Sequence, residues 1–507
     1  MPPTFHVEHF GCRAARADGE AIADRLRAAG CCARQPSDAE LLVVNTCSVT
    51  DEADRAARAF IRRTHRLNPQ ARIVVTGCYA QRAPQELAAM AGVAAVVGNS
   101  HKALAPEIAL SLMEPQAAQT EGGLIQINAA QAASAPPQVV WADDRFAHSF
   151  LEEAQLVPGS QTRPNLKIQE GCGNRCSFCV IPQTRGSSRS LPSATVLRQV
   201  QGFVAAGGNE LVLSGINLGR WGRDLSISPA EDAVRDPRFP TLSAEKREKD
   251  GAPAAVVPRT LAALVRQIFH ETTLPRLRLS SIEPMDWDDE LIALMAEFGG
   301  SRLARHAHLP LQSGSDAVLR RMYRRYRPWH YAEKVAALLK AAGPELTLGA
   351  DVMAGFPGET DAEFEETVAF IRALPFGYLH LFPFSPRPNT RAWTLHAERP
   401  VPATAVNERM AVLRKLAAEK GETHRRRFFG RELEAITLHT PPELERRGRT
   451  AMLTESFLPV EVNGLWSANQ LMRVRITGFA QATESVFNLE GVEAAAPLEQ
   501  GLLSAQL

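Results

Sequence analysis

The sequence predicts an α/β protein of three consecutive domains: an amino-terminal parallel α/β sheet, a central (β/α) barrel and a small carboxyl-terminal β-barrel. Its 507 residues correspond to roughly three domains of about 150 residues each. Strand and helix patterns alternate through the central part of the chain, whereas short alternating strands follow residue 430. The predicted segments are an amino-terminal domain at 1–114, a linker at 115–160, a core at 161–395 with an insertion at 225–257, a helical connector at 396–429 and a β-barrel at 430–495.

The composition is that of a globular protein without a strong overall charge. Hydrophobic residues make up 45% of the chain and the formal net charge is +1. The field of the whole molecule is therefore too weak to steer a polyanion, and nucleic-acid contacts must come from local basic patches. There is no run of eighteen apolar residues and no signal-peptide pattern at the start. We expect a cytoplasmic protein without membrane association, whose eight cysteines are metal or redox ligands rather than disulfide partners.

Three cysteines of the amino-terminal third each follow a predicted strand. Apolar patterns near residues 5–7, 41–44 and 73–75 predict strands, with helical stretches at 20–29 and 53–66 between them. The cysteines that follow are Cys12, Cys47 and Cys78, separated by 35 and 31 residues. These separations match βαβ units, whose parallel strands end at one edge of a sheet. The three thiols could therefore form one metal site, although spacing alone leaves open three unrelated cysteines.

Cys31 and Cys32 provide an internal comparison. They are adjacent, lie near the predicted end of a helix and do not follow a strand. We interpret them as buried or tolerated thiols rather than ligands.

The central cysteine motif consists of Cys172, Cys176 and Cys179, with the aromatic Phe178 before the last thiol. Three thiolates at this spacing can hold three corners of a cubane iron–sulfur cluster, whereas a structural zinc site needs a fourth nearby ligand. The remaining iron is then open to a small molecule. Chance burial of small apolar thiols is the alternative, and it explains single cysteines better than this spacing.

The chain after this motif is predicted to form a partial or complete α/β barrel. A strand at 164–170 leads into the motif, and further strands are predicted at 210–214, 276–281, 346–352 and 378–384, separated by helical stretches such as 261–271 and 363–374. An α/β barrel places its site at the carboxyl ends of the strands.

The segments 45–50 and 75–81, together with the Cys172 motif, resemble the methylthiotransferase family of radical S-adenosylmethionine enzymes. The resemblance implies two [4Fe–4S] clusters, bound by Cys12, Cys47 and Cys78 and by Cys172, Cys176 and Cys179, with S-adenosylmethionine at the second cluster. One departure is local: the family usually has an Asn and often a Gln where this chain has Ala15 and Arg16.

By analogy with the family, four residues are candidates for contact with S-adenosylmethionine: Phe178, Gln312, Asp351 and Gly355. The alternative for the loop residues among them is capping and turn formation, which Asp and Gly perform throughout α/β proteins.

Within the family the chain is most similar to the branch that modifies threonylcarbamoyladenosine at position 37 of tRNA, by the segments 61–69, 181–186, 276–284 and 320–326. The resemblance implies transfer of a methylthio group to C2 of that adenine. The C2 hydrogen is not acidic, so the step needs radical chemistry supplied by the cofactor. The alternatives are a ribosomal-protein aspartate, isopentenyladenosine in tRNA, or a non-catalytic iron–sulfur RNA-binding protein.

Basic residues interleaved with aromatic residues suggest RNA contacts, because such patches pair with phosphates and stack on bases. The candidates are Arg324, Arg325, Arg425 and Arg426, with a third basic cluster at 62–66. The alternative is a solvated helix face. Strands predicted at 433–438, 451–453, 460–462 and 472–476 form a barrel similar to the RNA-binding barrel of the family, with a frayed tail after Val492. We expect the tRNA anticodon loop and a reducing electron donor as partners of a monomeric enzyme.

Overall fold

The computed structural model describes residues 2–48, 50–113, 139–146, 163–225, 259–480 and 489–494. The strand expected at 124–127, residues 226–257 of the predicted insertion and most of the predicted linker and tail lie outside these ranges. The chain forms two compact units, and the first comprises residues 1–155, 170–187 and 385–394. The second comprises residues 156–169, 188–384 and 395–507. The units interleave along the chain, so the boundaries of the predicted consecutive domains stay a prediction.

The first unit is built on a six-stranded sheet in the order β2-β1-β3-β4-β5-β6, in which every neighbouring pair is parallel. Its strands are β1 Thr4–His9, β2 Cys32–Ala33, β3 Leu41–Thr46, β4 Arg72–Gly77, β5 Val93–Gly98 and β6 Val139–Trp141. Its helices are α1 Arg13–Ala28, α2 Asp51–Leu67, α3 Cys78–Arg82, α4 Pro84–Ala88, α5 Ala105–Met113 and, later in the chain, α6 Ile181–Arg185.

Both faces of this sheet are buried because helices cover each side. Val43 and Val74 point into one core with Leu26 of α1. Val44 and Val75, one position further along the same strands, point into a second core with Phe60 of α2. Alternate side chains of a strand face opposite sides, so a sheet covered on both faces needs continuous apolar runs. This is why 41–44 and 73–75 are recognisable in the sequence.

The second unit contains a seven-stranded α/β array. Two sheets, β10-β9-β7-β8 and β11-β12-β13, are linked by a parallel bridge between Leu277 and Leu303, which gives a partial barrel. The strands are β7 Asn165–Glu170, β8 Arg189–Ser190, β9 Glu210–Gly215, β10 Arg276–Leu279, β11 His306–His308, β12 Thr347–Ala354 and β13 Phe376–Pro383. The helices are α7 Ser193–Ala205, α8 Leu261–Glu271, α9 Asp289–Phe298, α10 Asp316–Arg321, α11 Pro328–Ala342 and α12 Asp361–Ala373, followed by α13 Arg391–Glu398 and α14 Ala403–Arg426.

A closed five-stranded barrel follows α14, in the order β14-β15-β16-β18-β17. Its core is formed by apolar residues such as Leu433, Val460, Val474 and Leu489. The elements are β14 Glu432–Thr437, α15 Pro442–Arg446, β15 Arg449–Thr454, β16 Pro459–Asn463, β17 Leu471–Phe479 and β18 Leu489–Glu493. Four strands match the sequence prediction. No strand was predicted at the fifth, β18, which pairs with both β16 and β17 and closes the barrel.

The closed barrel contacts the amino-terminal ends of the core strands. Arg276, the first residue of β10, pairs with Glu210 at the start of β9 and with Glu434 of the closed barrel. The guanidinium of Arg278 donates to the carbonyls of Thr454 and Glu455. These arginines and Glu210 are buried, and burial of a charge requires pairing of this kind.

Among the described helices, none is both long and apolar enough to cross a bilayer. The prediction of an α/β protein with an amino-terminal parallel sheet, a central barrel-type core and a carboxyl-terminal β-barrel is confirmed.

Candidate functional site

Two iron–sulfur sites

The end of β1 brings Cys12 to the end of β3. The Phe10 amide donates to the Asn45 carbonyl at 2.8 Å, which extends the pairing of these strands beyond His9. Gly11 has φ +107°, and a Cβ at this position would overlap the side chain of Cys47. Only glycine permits both the left-handed conformation and this approach. The backbone that leads into Cys12 therefore lies directly against Cys47.

Cys47 and Cys78 follow paired residues of neighbouring strands. Thr46 at the end of β3 is paired with Gly77 at the end of β4. Gly77 has φ +98°, and a Cβ there would overlap the Thr46 carbonyl oxygen. Cys47 and Cys78 are buried, whereas Cys12 is exposed. The prediction that strand ends carry the three cysteines to one edge agrees with this geometry, and we call this edge the Cys12 site.

The Cys172 loop, residues 171–179, follows β7 and belongs to the same compact unit. Gly171 has φ +71°, and a Cβ would overlap the Ser187 carbonyl. The Cys172 amide donates to the Gly186 carbonyl at 3.0 Å, and the Ala392 amide donates to the Ser177 carbonyl at 2.9 Å. The loop is thus held at both ends, while Cys176 and Cys179 keep partial exposure.

Both cysteine sets fit the clusters that the family resemblance implies for them. None of the eight cysteines, all within the described residues, forms a disulfide. Each set offers three sulfur donors, the number that leaves one corner of a cubane cluster open. Partial exposure of the Cys172 loop is compatible with a small molecule reaching that corner.

Charges around the Cys12 site

A buried charge network, which we call the Arg185 network, lies beside Cys78. It consists of Arg185, Lys102, Asp18 and Glu170, each no more than 1% exposed. Arg185 Nη1 donates to Glu170 at 2.6 Å and to Asp18 at 3.2 Å. Lys102 Nζ donates to Asp18 at 2.8 Å and to Glu170 at 3.1 Å. Two cations and two carboxylates thus neutralise each other without water.

The same network reaches Cys78, a candidate cluster ligand. Arg185 Nε donates to Cys78 Sγ at 3.2 Å, and Asn99 Nδ2 donates to the same sulfur at 3.3 Å. Burial opposes the charge of Arg185, but the neighbouring Cys78, Glu170 and Asp18 raise the pKa of the guanidinium well above its usual value. The sequence analysis missed this role because Arg185 and Asn99 come from separate segments of the chain. Arg185 lies within the segment 181–186, which was noted only for the resemblance to one branch of the family.

Asp54 of α2 anchors two further arginines in this unit. Its Oδ2 accepts hydrogen bonds from Arg82 and Arg387 at 2.7 Å each. Arg82 also donates to Ser48 Oγ at 2.6 Å, directly after Cys47. The pairs tie the backbone after Cys47 to α3 and to the segment 385–394.

Gln183 and Asn389 contact each other within the same unit. The Gln183 side chain donates to the Asn389 carbonyl at 2.8 Å, and Asn389 has φ +62°.

Residues of the core strands

Gln312 has a strained backbone at the carboxyl end of the core. Its φ is +64°, which costs a non-glycine residue of order 1 kcal/mol and often accompanies a functional site. Its amide donates to the Asp351 carbonyl at 2.7 Å, and its own carbonyl accepts from the Met353 amide at 2.8 Å. The backbone of Gln312 is thus fixed by β12, and its side chain is 9% exposed.

Asp351 lies between two histidines that the sequence analysis did not single out. Its Oδ1 is 3.4 Å from His308 Nε2 and 3.3 Å from His380 Nδ1. Burial alone would raise the pKa of Asp351, but the hydrogen bonds from the two histidines outweigh it and lower the pKa below its usual value. The donor atoms of the three residues lie within 4.8 Å of one another, a set that could hold a metal ion. His308 ends β11, whereas Asp351 and His380 are paired residues inside β12 and β13, so the cluster depends on the register of these strands.

Gly355 follows β12 with φ +76°. A Cβ here would lie 2.5 Å from Val406. The Gly355 amide donates to Glu359 Oε2 at 2.8 Å, so this amide is already paired. A ligand contact at Gly355 would instead depend on the missing side chain, which lets the backbone approach the ligand closely. Phe178 of the Cys172 loop is half-buried.

The four candidate RNA-binding arginines differ in accessibility. The structure corrects the prediction that Arg324 contacts RNA. Arg324 is buried, and its Nη2 donates to both carboxylate oxygens of Glu283 at 2.8 and 2.7 Å. A guanidinium held in this way is not open to a phosphate. The side chain of Arg325 is 47% exposed and that of Arg426 is 58% exposed. Arg425 and Arg426 both lie over the ring of Phe479.

Cys31 lies in an apolar core with Phe5 and Leu26, and burial raises the pKa of its thiol. Cys32 belongs to β2, a short strand that the sequence pattern did not predict. Their positions agree with the interpretation that they are not ligands.

Comparison with known proteins

Two families match the chain: "Uncharacterized protein family UPF0004" over residues 4–98 and the Radical SAM superfamily over residues 166–371. A relative from Bacillus subtilis (strain 168), named threonylcarbamoyladenosine tRNA methylthiotransferase MtaB, is 33% identical over 91% of this chain and 90% of its own length. A relative from Erythrobacter litoralis (strain HTCC2594), named tRNA-2-methylthio-N(6)-dimethylallyladenosine synthase, is 32% identical over 87% of each chain. The structure of the radical S-adenosylmethionine methyltransferase TsrM from Kitasatospora setae aligns with a TM-score of 0.48 and 16% identity over 78% of each chain.

The fold and the Cys172 loop, with the matching superfamily, define a radical S-adenosylmethionine enzyme. The identity to relatives over most of their length goes further: the chain belongs to the methylthiotransferase family. It is a transferase whose cofactors are two [4Fe–4S] clusters and S-adenosylmethionine, as the sequence predicted.

Proposed function

We propose that this enzyme adds a methylthio group to C2 of N6-threonylcarbamoyladenosine at position 37 of tRNA. The observation that carries the proposal is the 33% identity, over nine-tenths of its length, to a relative named for this activity. Two three-cysteine sites within one compact unit are consistent with a reaction that needs two clusters.

The proposed ligands are Cys12, Cys47 and Cys78 for one cluster and Cys172, Cys176 and Cys179 for the other. When bound, the clusters and S-adenosylmethionine supply the one-electron chemistry that replacement of an inert carbon–hydrogen bond requires. The protein supplies orientation: strand ends hold the first three thiols, and hydrogen bonds at Cys172 and Ser177 fix the loop that carries the others. At the first site Cys47 and Cys78 are buried, and Cys12 is exposed.

Four residues are proposed to contact S-adenosylmethionine: Phe178, Gln312, Asp351 and Gly355. The strained backbone of Gln312 and the glycine-dependent turn at Gly355 support this assignment. Asp351 is ionised and held by two histidines, which would orient it toward a hydroxyl or an ammonium group.

Arg325, Arg425 and Arg426, together with the closed carboxyl-terminal barrel, are proposed to contact the tRNA. An external reductant is proposed to supply electrons to a monomeric enzyme. The exposure of Arg426 beside Phe479 supports a phosphate contact next to a ring on which a base could stack.

The test is anaerobic reconstitution with iron and sulfide, reaction with S-adenosylmethionine, dithionite and tRNA, and mass spectrometry of the digested nucleosides. The expected product is methylthio-threonylcarbamoyladenosine. Deoxyadenosine without a modified nucleoside would overturn the tRNA substrate, and the search would move to a ribosomal-protein aspartate.

The second candidate substrate is dimethylallyladenosine in tRNA, because a relative of similar identity carries that name. Two tRNA pools separate the candidates. One pool comes from cells that lack threonylcarbamoyladenosine and the other from cells that lack dimethylallyladenosine. Product from the second pool alone supports the proposal, and product from the first pool alone supports the second candidate.

A further inference from the structure

The Cys78 sulfur receives two side-chain hydrogen bonds from buried residues. Arg185 Nε lies 3.2 Å and Asn99 Nδ2 lies 3.3 Å from Sγ. Asn99 is itself oriented by a 2.8 Å hydrogen bond from Nδ2 to the carbonyl of Thr184, the residue before Arg185. Both donors are 0% exposed. Their hydrogen bonds to sulfur are therefore not weakened by competition with water.

The charge beside this sulfur is set by a closed group of four residues. Arg185 and Lys102 contribute two positive charges, and Asp18 and Glu170 contribute two negative charges, so the Arg185 network is neutral as a whole. The cation nearest to Cys78 is Arg185, whose Nε faces the sulfur while its Nη1 faces the carboxylates. The network thus presents its positive side to the Cys12 site.

Hydrogen bonds to cysteine sulfur and positive charge nearby raise the reduction potential of an iron–sulfur cluster, because they stabilise the additional electron of the reduced state. Both effects act together at Cys78. We propose that Arg185 and Asn99 are positioning residues that raise the reduction potential of the cluster at the Cys12 site. This inference rests on the proposed assignment of Cys12, Cys47 and Cys78 as ligands.

The network also connects the two cysteine sites along the chain. Glu170 ends β7, two residues before Cys172, and Arg185 ends α6, six residues after Cys179. The residues that contact Cys78 therefore come from the segment that carries the other cluster. A change in the position of the Cys172 loop would reach the sulfur of Cys78 through Arg185.

The experiment isolates the Cys12 site in the full-length chain. Cys172, Cys176 and Cys179 are all replaced by Ala, so that the reconstituted parent holds only the cluster at the Cys12 site. The midpoint potential is then measured by redox titration with electron paramagnetic resonance, and iron and sulfide are quantified for each variant. Neither measurement depends on turnover.

Three variants test the donors in this background. In Arg185→Gln the midpoint potential should become more negative than in the parent. In Arg185→Lys, which keeps the charge but not the planar donor group, the shift should be smaller. In Asn99→Ala the potential should also become more negative, because one hydrogen bond to sulfur is lost.

A double variant separates charge from hydrogen bonding. Arg185→Gln leaves the network with one excess negative charge, and Glu170→Gln restores neutrality. The double variant should recover part of the potential lost in Arg185→Gln, with the remaining deficit due to the missing donor. The matched control is Arg278→Lys, since Arg278 is also 0% exposed and bonded to a carboxylate and to carbonyls, but in the second unit. Its potential should equal that of the parent.

The possible failures are distinguishable. A parent that binds no iron would overturn the assignment of the three ligands. A parent with an intact cluster whose potential is unchanged in Arg185→Lys and Asn99→Ala would overturn the inference alone, even if Arg185→Gln fails to assemble a cluster. An equal shift in Arg278→Lys would mean that the effect is not specific to the sulfur contact and would also overturn it.

Discussion

Three of the six proposed ligand cysteines directly follow a left-handed glycine. Gly11, Gly77 and Gly171 have positive φ, and a Cβ at each would overlap a backbone or side-chain atom of the same site. The glycines allow the chain to turn sharply after the strand, directly before the cysteine. At residue scale, the dipeptide Gly-Cys is therefore the local unit from which half of the ligands are built.

Gly77→Ala should remove iron from the Cys12 site. The added methyl group overlaps the Thr46 carbonyl, so the paired ends of β3 and β4 must separate and Cys47 moves away from Cys78. The matched control is Gly30→Ala, since Gly30 also has positive φ (+87°) but has no atom within 4 Å of the added Cβ. The control should lose about 1 kcal/mol of stability and keep its iron. Equal iron contents in the two variants would contradict the role given to Gly77.

Cys47→Ala should abolish methylthiolation and reduce bound iron to about half, because one of two similar clusters loses a thiolate. Cys32→Ala serves as the control, since Cys32 lies in β2 and is not a proposed ligand. It should retain both iron and activity. Mass spectrometry of nucleosides and iron analysis on the same preparation are sufficient. Product formation by Cys47→Ala would remove the Cys12 site from the mechanism.

The six cysteines could be proposed as ligands from the sequence, Cys172, Cys176 and Cys179 by their spacing and Cys12, Cys47 and Cys78 by the family resemblance. The residues around them could not. The contacts of Arg185 and Asn99 with Cys78, and of Lys102 with Asp18, are tertiary contacts that no local sequence pattern predicts. His308 and His380 were missed for the same reason, since their proximity to Asp351 depends on the register of three strands.

At the carboxyl end of α14, residues close in sequence differ in exposure. His424 is 3% exposed, and its Nε2 lies 2.8 Å from Thr347 Oγ1 at the start of β12. Arg426, two residues later, is exposed and pairs with Glu422. The side of this helix end that contains His424 therefore supports the core, and the side that contains Arg426 remains available to a partner.

The buried His424 should make the second unit less stable in acid. Burial, followed by the charges of Arg427 and Arg425, lowers its pKa from 6.5 to about 4. Since the folded pKa is below the unfolded one, the unfolded chain binds the proton first, and stability falls as pH decreases from 6.5 towards 4. The loss at pH 5 is about 2 kcal/mol. Thermal unfolding at pH 7 and pH 5 should show a smaller loss for His424→Gln; the same loss in both proteins would refute this cause.

Arg426→Gln and Arg324→Gln should have opposite phenotypes. The exposed Arg426 contributes little to stability, so its replacement should weaken tRNA binding and reduce the salt dependence of log K by about one. Replacement of the buried Arg324 leaves Glu283 without its cation, so Arg324→Gln should cost about 3 kcal/mol of stability. The salt dependence of tRNA binding should be unchanged. Filter binding at several salt concentrations and thermal unfolding provide the two measurements. A reduced salt dependence in Arg324→Gln would restore Arg324 as an RNA contact.

Element prediction succeeded where burial is continuous and failed where a strand is short. The runs at 41–44 and 73–75 are apolar because both faces of the sheet are covered. The three residues of β6 fall inside the segment predicted as a linker, and they form a strand only because β5 offers an unpaired edge. The same holds for β18, whose pairing with β16 and β17 is a tertiary property.

At the scale of the whole second unit, the closed barrel and the proposed cofactor contacts lie at opposite ends of the core strands. The closed barrel contacts the amino-terminal ends, through Arg276 with Glu434 and through Arg278 with the carbonyls of Thr454 and Glu455. Gln312 and Gly355 lie at the carboxyl ends. The eight residues of β12 separate these ends by about 26 Å.

An isolated anticodon stem-loop should therefore bind more weakly than intact tRNA if both ends of the strands contact the substrate. The comparison uses RNAs of the same loop sequence and modification, measured at the same salt concentration. A third RNA, in which the stem is extended to the length of the tRNA arm, should recover part of the affinity. Equal affinity for the stem-loop and the tRNA would show that the closed barrel does not contribute to binding.

If tRNA contacts both ends, their separation also makes affinity depend on the length of the substrate. A nucleoside that belongs to a short oligonucleotide would reach only one end, so its affinity would lack the contribution of the other. The enzyme would then select its substrate by the length of the RNA before it selects by the chemistry of the nucleoside. The same modified adenosine in other small RNAs would then not receive a methylthio group, even if the site binds that nucleoside equally well.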